Sequence, residues 1–201
     1  MDYIELSTED VKEKSIDLAK KVKEEYTPDV IIFIAKGAHQ IGYEISNFFS
    51  VPLLEIFAKR KVGRMKKIVI PFLKCIPKKI KKELRKKEIT MNVHEKKTQR
   101  NICFDETIWN QYKDAKKILI VDDSSDTGNT IMQVKKYVEQ YFIGASIKIA
   151  TFNIFLKSQE LVEIDYHIYE NTMICGPWSN DSKYYKEFLS NYKKWKSETN
   201  E

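Results

Sequence analysis

The strongest limit on what this chain can fold into is a set of short apolar runs separated by stretches with helical periodicity. Val30-Ile31-Ile32-Phe33-Ile34-Ala35 is continuous, rich in β-branched residues and without polar alternation. Such a run fits a strand covered on both faces. Val51 to Phe57, Lys117 to Val121 and Ser146 to Phe155 read as further strands. Between them, Ile41, Ile45, Phe48 and Phe49 share one face of a helix from His39 to Phe49. Ile131, Val134, Val138 and Phe142 do the same for a helix over Thr127 to Tyr141. An earlier helix opens at Ser7, where Ser7 and Asp10 have capping-box spacing. Its stripe is Val11, Leu18 and Val22, and Thr27-Pro28-Asp29 stops it. Strands alternating with amphipathic helices predict an α/β fold, a parallel sheet with right-handed crossovers and helices on both faces.

A length of 201 residues predicts a single domain over 1–201. With 42% hydrophobic and 32% charged residues, the chain is neither disordered nor fibrous. No apolar run approaches the roughly 20 residues needed to cross a bilayer, so no membrane span is expected. The start, Met1-Asp2-Tyr3-Ile4-Glu5, lacks the basic and apolar segments of a signal peptide. Cys75, Cys103 and Cys175 are far apart and form no CxxC pair. Free thiols and a cytoplasmic location are the expectation. His39, His94 and His167 show no metal-binding spacing and read as ordinary core or loop residues.

The net charge of +6 is unevenly placed. Residues 59–87 hold 14 basic side chains and the single acid Glu83, a net of +13, which leaves −7 for the rest. The chain is thus an acidic body with a basic insert over about 59–105. Leu73, Ile76, Ile80 and Leu84 fall on one helical face there. A helical cap over the body, a magnet for a polyanionic small molecule, and a surface for membrane or nucleic acid are three readings of it. Its scarcity of aromatics makes nucleic acid the weakest partner.

Most of the chemistry is concentrated in Ile118-Leu119-Ile120-Val121-Asp122-Asp123-Ser124-Ser125-Asp126-Thr127-Gly128-Asn129-Thr130. An apolar strand ends in two carboxylates, and a short loop adds a third before a helix opens. Open α/β sheets bind ligands outside the carboxyl ends of their strands. A helix N-terminus offers unpaired N–H groups and the positive end of a dipole. Gly128 allows close backbone approach, while Thr127 and Thr130 add hydroxyl donors. That combination suits a phosphomonoester. Ionised Asp122 and Asp123 accept only, so they suit vicinal hydroxyls or Mg²⁺. Phosphate donors beside diol acceptors describe a ribose 5-phosphate.

Leu119 to Thr130 resembles the signature of the type I phosphoribosyltransferases: apolar strand, two acids, three variable residues, Thr-Gly-x-Thr. Asp126, directly before Thr127-Gly128, is similar to the aspartate of the 6-oxopurine branch. The resemblance covers about residues 28–57 and 117–178. It implies that family's fold, with a basic helical insert and a small C-terminal hood over 158–201. The implied substrates are 5-phosphoribosyl 1-pyrophosphate (PRPP) and a nucleobase, or a nucleoside monophosphate in reverse, with Mg²⁺ as cofactor and release of pyrophosphate. Asp126 is then the general base. Asp122 and Asp123 serve the ribose hydroxyls or the metal, Thr127, Gly128, Asn129 and Thr130 the 5-phosphate, and Ser125 also touches PRPP. The Lys36-Gly37 turn resembles the family's pyrophosphate loop. Lys157 is similar to the lysine that contacts the purine O6, and Ile174-Cys175-Gly176-Pro177-Trp178 resembles the Pro-Trp segment of xanthine–guanine enzymes. Met173 and Ile174 then border the base. Met173 stands where an aromatic usually stacks, and Cys175 where an acid reads the guanine amine, which weighs against guanine.

The family's Ser-Tyr loop has no counterpart in 59–105; there Arg100 reads as a surface arginine, with a substitute phosphate contact as the alternative. The aromatic tail, Tyr184 to Trp195, points to core packing or a homodimer face. Alternatives to purine salvage are a phosphoribosyltransferase with a specialised acceptor, a PRPP-sensing regulator that binds nucleic acid, and an unrelated phosphosugar-binding protein.

Overall fold

The computed structural model describes residues 2–60 and 99–199. The amphipathic basic helix expected around residues 73–84, and nearly all of the +13 charge, lie outside these residues.

The elements in order are β1 (Tyr3–Glu5), α1 (Thr8–Lys23), β2 (Val30–Ile34), α2 (His39–Phe49), β3 (Leu53–Arg60), β4 (Arg100–Cys103) and α3 (Glu106–Asn110). Then come β5 (Lys117–Ser125), α4 (Asn129–Tyr141), β6 (Ser146–Ile154), a 3-10 turn (Leu156–Glu160), β7 (Tyr166–Glu170), β8 (Met173–Cys175) and α5 (Tyr185–Glu198). Six strands form one sheet in the order β4-β3-β2-β5-β6-β7. Its neighbours are parallel except β3 and β4, which pair antiparallel from Phe57↔Cys103 to Arg60↔Arg100. Ser7 caps α1 through the expected reciprocal bonds with Asp10.

Both faces of the sheet are covered, as the unbroken apolar runs require. Ile31 and Phe33 of β2 pack with Val11, Leu18, Ile41 and Ile45 on one side. Val30, Ile32 and Ile34 pack with Trp109, Ile131, Val134 and Val138 on the other. The chain moves outward from β2 to β3 in one direction and from β5 to β6 in the other. The crevice between β2 and β5 is therefore the topological switch point, where open α/β sheets bind ligands.

Three details differ from the sequence expectation. β5 runs through Ser125 and pairs with β6 up to Ser125↔Ile154, so Asp122 and Asp123 lie within a strand and not after it. Accordingly α4 begins at Asn129, two residues later than expected. Arg100–Cys103, assigned by sequence to the insert, is a strand, because its backbone pairs antiparallel with β3. A second, two-stranded sheet pairs β1 with β8, so the N-terminal residues back the hood.

Candidate active site

The switch point places the ends of β2 and β5 side by side, since Phe33 pairs with Val121. Beyond β2, the chain turns through a cis Ala35–Lys36 peptide to Gly37. A Cβ on Gly37 would lie 2.5 Å from Asp123 Oδ1. Only a residue without a side chain lets this turn sit against that carboxylate. Lys36 is exposed, with its ammonium 5.9 Å above the ring of Tyr192.

Asp122 is buried, and its Oδ1 accepts the Asp123 backbone N–H at 2.9 Å. Burial, and then the neighbouring Asp123 carboxylate, hold Asp122 well above the usual carboxylate range. Hydroxyl donors or a divalent cation at this corner would favour the ionised pair. Among the described residues no three His, Cys, Asp or Glu side chains group as a self-sufficient metal site. Mg²⁺ does not need one, because it keeps waters and binds through one or two carboxylates plus substrate oxygens.

Gly128 caps α4 in the left-handed region at φ 72°, with no side chain closing the helix end. A Cβ there would meet the Ser158 carbonyl at 2.7 Å and Val162 Cγ1 at 2.9 Å. Both the dihedral and the close approach demand glycine. Asn129 Nδ2 donates to Thr127 Oγ1 at 3.1 Å. Asn129 Oδ1 and Ser125 Oγ are buried without hydrogen-bond partners among the described residues. A cavity of about 60 Å³ opens at this helix end, lined by Asp122, every residue from Ser124 to Ile131, and Arg100. Gln133 brings β4 here: its Oε1 accepts the Arg100 N–H at 2.8 Å, and its Nε2 donates to the Asn129 carbonyl at 3.1 Å.

A second cavity, about 110 Å³, adjoins the first. Its wall includes Asp123, Phe155, Thr172, Met173, Ile174 and Trp178. Trp178 lies directly on Gly176, where a Cβ would fall 2.4 Å from the indole. Ser124 and Asp126 line both cavities. Asp126 is solvent-exposed and accepts from Ser124 Oγ at 3.4 Å.

Of the residues expected from sequence, the structure therefore gathers Asp122, Asp123, Ser125, Asp126, Thr127, Gly128, Asn129, Thr130, Gly37, Met173 and Ile174 around one corner. Lys157 stands exposed on the 3-10 turn, outside the lining of both cavities. His39 is a core residue, and Cys175 is a buried free thiol. Sequence reasoning missed Ser124, Phe155 and Thr172 as lining residues, and gave Trp178 only as part of a resemblance. It also missed Asn153, which is 1% exposed beneath the second cavity. Asn153 carried a signal: it is a polar residue in a run otherwise fit for a doubly covered strand. A larger cavity, about 690 Å³, opens beside Phe57, Phe104, Trp109 and Trp195 and touches none of the loop after β5.

The comparisons with known proteins agree with this geometry. Residues 6–184 match the family model described as the phosphoribosyl transferase domain. No curated protein matches the sequence. A purine phosphoribosyltransferase from Pyrococcus horikoshii is similar in structure at a TM-score of 0.61 and 26% identity, over 90% of this chain and 97% of its own. The xanthine-guanine-hypoxanthine phosphoribosyltransferase of Helicobacter pylori shares the fold at a TM-score of 0.61 and 15% identity, over 92% of this chain and 99% of its own. A hypothetical protein from Neisseria gonorrhoeae with bound ppGpp shares it at 0.62 and 14%, over 96% of each chain. With the family model spanning nearly the whole sequence and the carboxylate pair and glycine-capped helix at the switch point, this chain belongs to the phosphoribosyl transferase domain family.

Proposed function

We propose that this protein transfers the 5-phosphoribosyl group between PRPP and a 6-oxopurine, with release of pyrophosphate. One observation carries the proposal: Asp126 and Ser124 border both the helix-end cavity and the aromatic-walled one. A carboxylate at that junction stands where a sugar phosphate and a base would meet.

In this mechanism Thr127, Gly128, Asn129 and Thr130 hold the 5-phosphate at the start of α4, where N–H groups and the helix dipole favour an anion. The buried Ser125 hydroxyl, without a hydrogen-bond partner among the described residues, donates to the phosphate. Asp122 and Asp123 accept from the ribose hydroxyls. Mg²⁺, held by Asp122 and Asp123 with substrate oxygens, would supply neutralisation of the pyrophosphate charge. The Lys36-Gly37 turn faces that leaving group. Met173 and Ile174 border the base, with Trp178 as the aromatic wall. Asp126 accepts the purine N7 proton as the anomeric carbon gains its new bond to nitrogen. Such general-base assistance contributes about 100- to 10,000-fold. The likeness to a Pyrococcus horikoshii enzyme named for purines supports this acceptor class.

The test is PRPP-dependent pyrophosphate release with hypoxanthine, guanine, xanthine, adenine, orotate and uracil offered separately. Turnover with hypoxanthine or xanthine is the expected result. Turnover with only a non-purine would move the chain to a specialised acceptor, and none with any base would end the enzymatic proposal.

A further inference from the structure

Asn153 lies on β6 directly opposite Ser124 of β5. It is buried, and its amide touches two residues that line the second cavity. On one side Oδ1 accepts the Thr172 backbone N–H at 3.1 Å. On the other, Nδ2 donates to Ser124 Oγ at 3.4 Å, and Ser124 Oγ donates to Asp126 Oδ1 at 3.4 Å.

The direction of this chain follows from chemistry. A backbone N–H can only donate, so the oxygen of the Asn153 amide must face Thr172. That leaves the NH₂ group facing Ser124. The Ser124 oxygen then accepts from it, and the hydroxyl proton is left for Asp126. Thr172 adjoins Met173 and Ile174, the wall of the base cavity, whereas Asp126 stands at the cavity junction. One buried amide thus links the wall to the carboxylate and sets the polarity of the serine between them. The two 3.4 Å contacts stand at the long end of hydrogen bonding, and the 3.1 Å bond from Thr172 anchors the amide.

We propose that Asn153 is a positioning residue that sets Asp126 in register with the nucleobase wall, acting through Ser124 on one side and the Thr172 backbone on the other. This inference rests on the proposed transferase function and extends it to a residue that touches no substrate.

The test compares wild type with Asn153→Ala, Asn153→Asp, Ser124→Ala, Ser124→Thr and the Asn153→Ala/Ser124→Ala double variant, using whichever base the wild-type enzyme turns over. Ser124→Ala cuts the arm from Asn153 to Asp126 and leaves the Thr172 bond in place, so kcat falls about tenfold with both KM values within twofold. Asn153→Asp keeps the acceptor for Thr172 but draws the serine proton away from Asp126, so kcat falls similarly and the base KM holds. Asn153→Ala loses both links, so kcat falls and the base KM rises, while the PRPP KM stays within twofold. Ser124→Thr keeps a hydroxyl and recovers kcat to within about threefold of wild type. The double variant is no slower than Asn153→Ala, because both substitutions cut one chain. An unchanged kcat in Ser124→Ala, or losses that multiply in the double variant, would overturn the inference with the transferase function intact. Wild-type enzyme inactive with every base would overturn the function itself, and the two failures are therefore distinct.

Discussion

Gly37 lies in the turn after β2 and Asp123 on β5, on opposite sides of the switch point, yet the missing side chain of one is the space filled by the carboxylate of the other. A Cβ at position 37 would stand 2.5 Å from Asp123 Oδ1 and 2.8 Å from Asp123 Cγ. The turn after β2 and the acids of β5 therefore act as one surface.

Gly37→Ala should displace Asp123, because that overlap must be relieved. The turn is only half-buried, so the fold should hold, with a melting temperature near that of wild type. The KM for PRPP should rise by about tenfold, the scale of a local overpacking penalty. Steady-state kinetics with PRPP varied, beside a thermal melt, checks both.

Asp126→Asn keeps the size of the side chain and removes its basicity. PRPP binding, read by calorimetry, should persist. Turnover should fall about 100- to 10,000-fold. A variant as fast as wild type would exclude Asp126 as the proton acceptor.

Gly128→Ala places a side chain at φ 72° and within 2.7 Å of the Ser158 carbonyl. Strain of this kind destabilises by about 1–3 kcal/mol. Urea unfolding should show a lower midpoint at unchanged slope. Shifting the start of α4 should also weaken PRPP binding.

His39 packs among Phe33, Phe188, Tyr192 and Trp195, with ring centroids 5.0–6.3 Å away. Neither ring nitrogen has a hydrogen-bond partner among the described residues. Burial lowers its pKa from 6.5 to about 4. Below pH 6.5 the unfolded chain takes up a proton that the folded chain refuses, so stability falls as pH falls. The loss accumulates down to about pH 4 and amounts to about 3 kcal/mol there. His39→Phe keeps a planar ring in the aromatic cluster and removes this titration. Urea unfolding of the two proteins at pH 4.5 and 7.5 should show a smaller difference for the variant.

Much of the architecture was legible in the sequence. Val30 to Ile34 carries no polar residue because both sheet faces are covered, and Ile131, Val134 and Val138 repeat at the helical period because one face of α4 packs on the sheet. The glycine-capped helix end was legible too, since Gly128 and its hydroxyl-bearing neighbours are local in sequence. β1, β4, β7 and β8 were not, because each is short and takes its strand geometry from the strand it pairs with.

Sequence by itself determined the α/β fold, the glycine-capped helix end and the carboxylate pair, because these depend on periodicity and on residues within one turn of each other. Tertiary structure alone decided that Gly37 meets Asp123, that Arg100 reaches the helix-end cavity through Gln133, and that Asn153 joins Ser124 to Thr172. Those contacts span strands whose pairing order is set by packing of the whole sheet, so no local pattern could encode them.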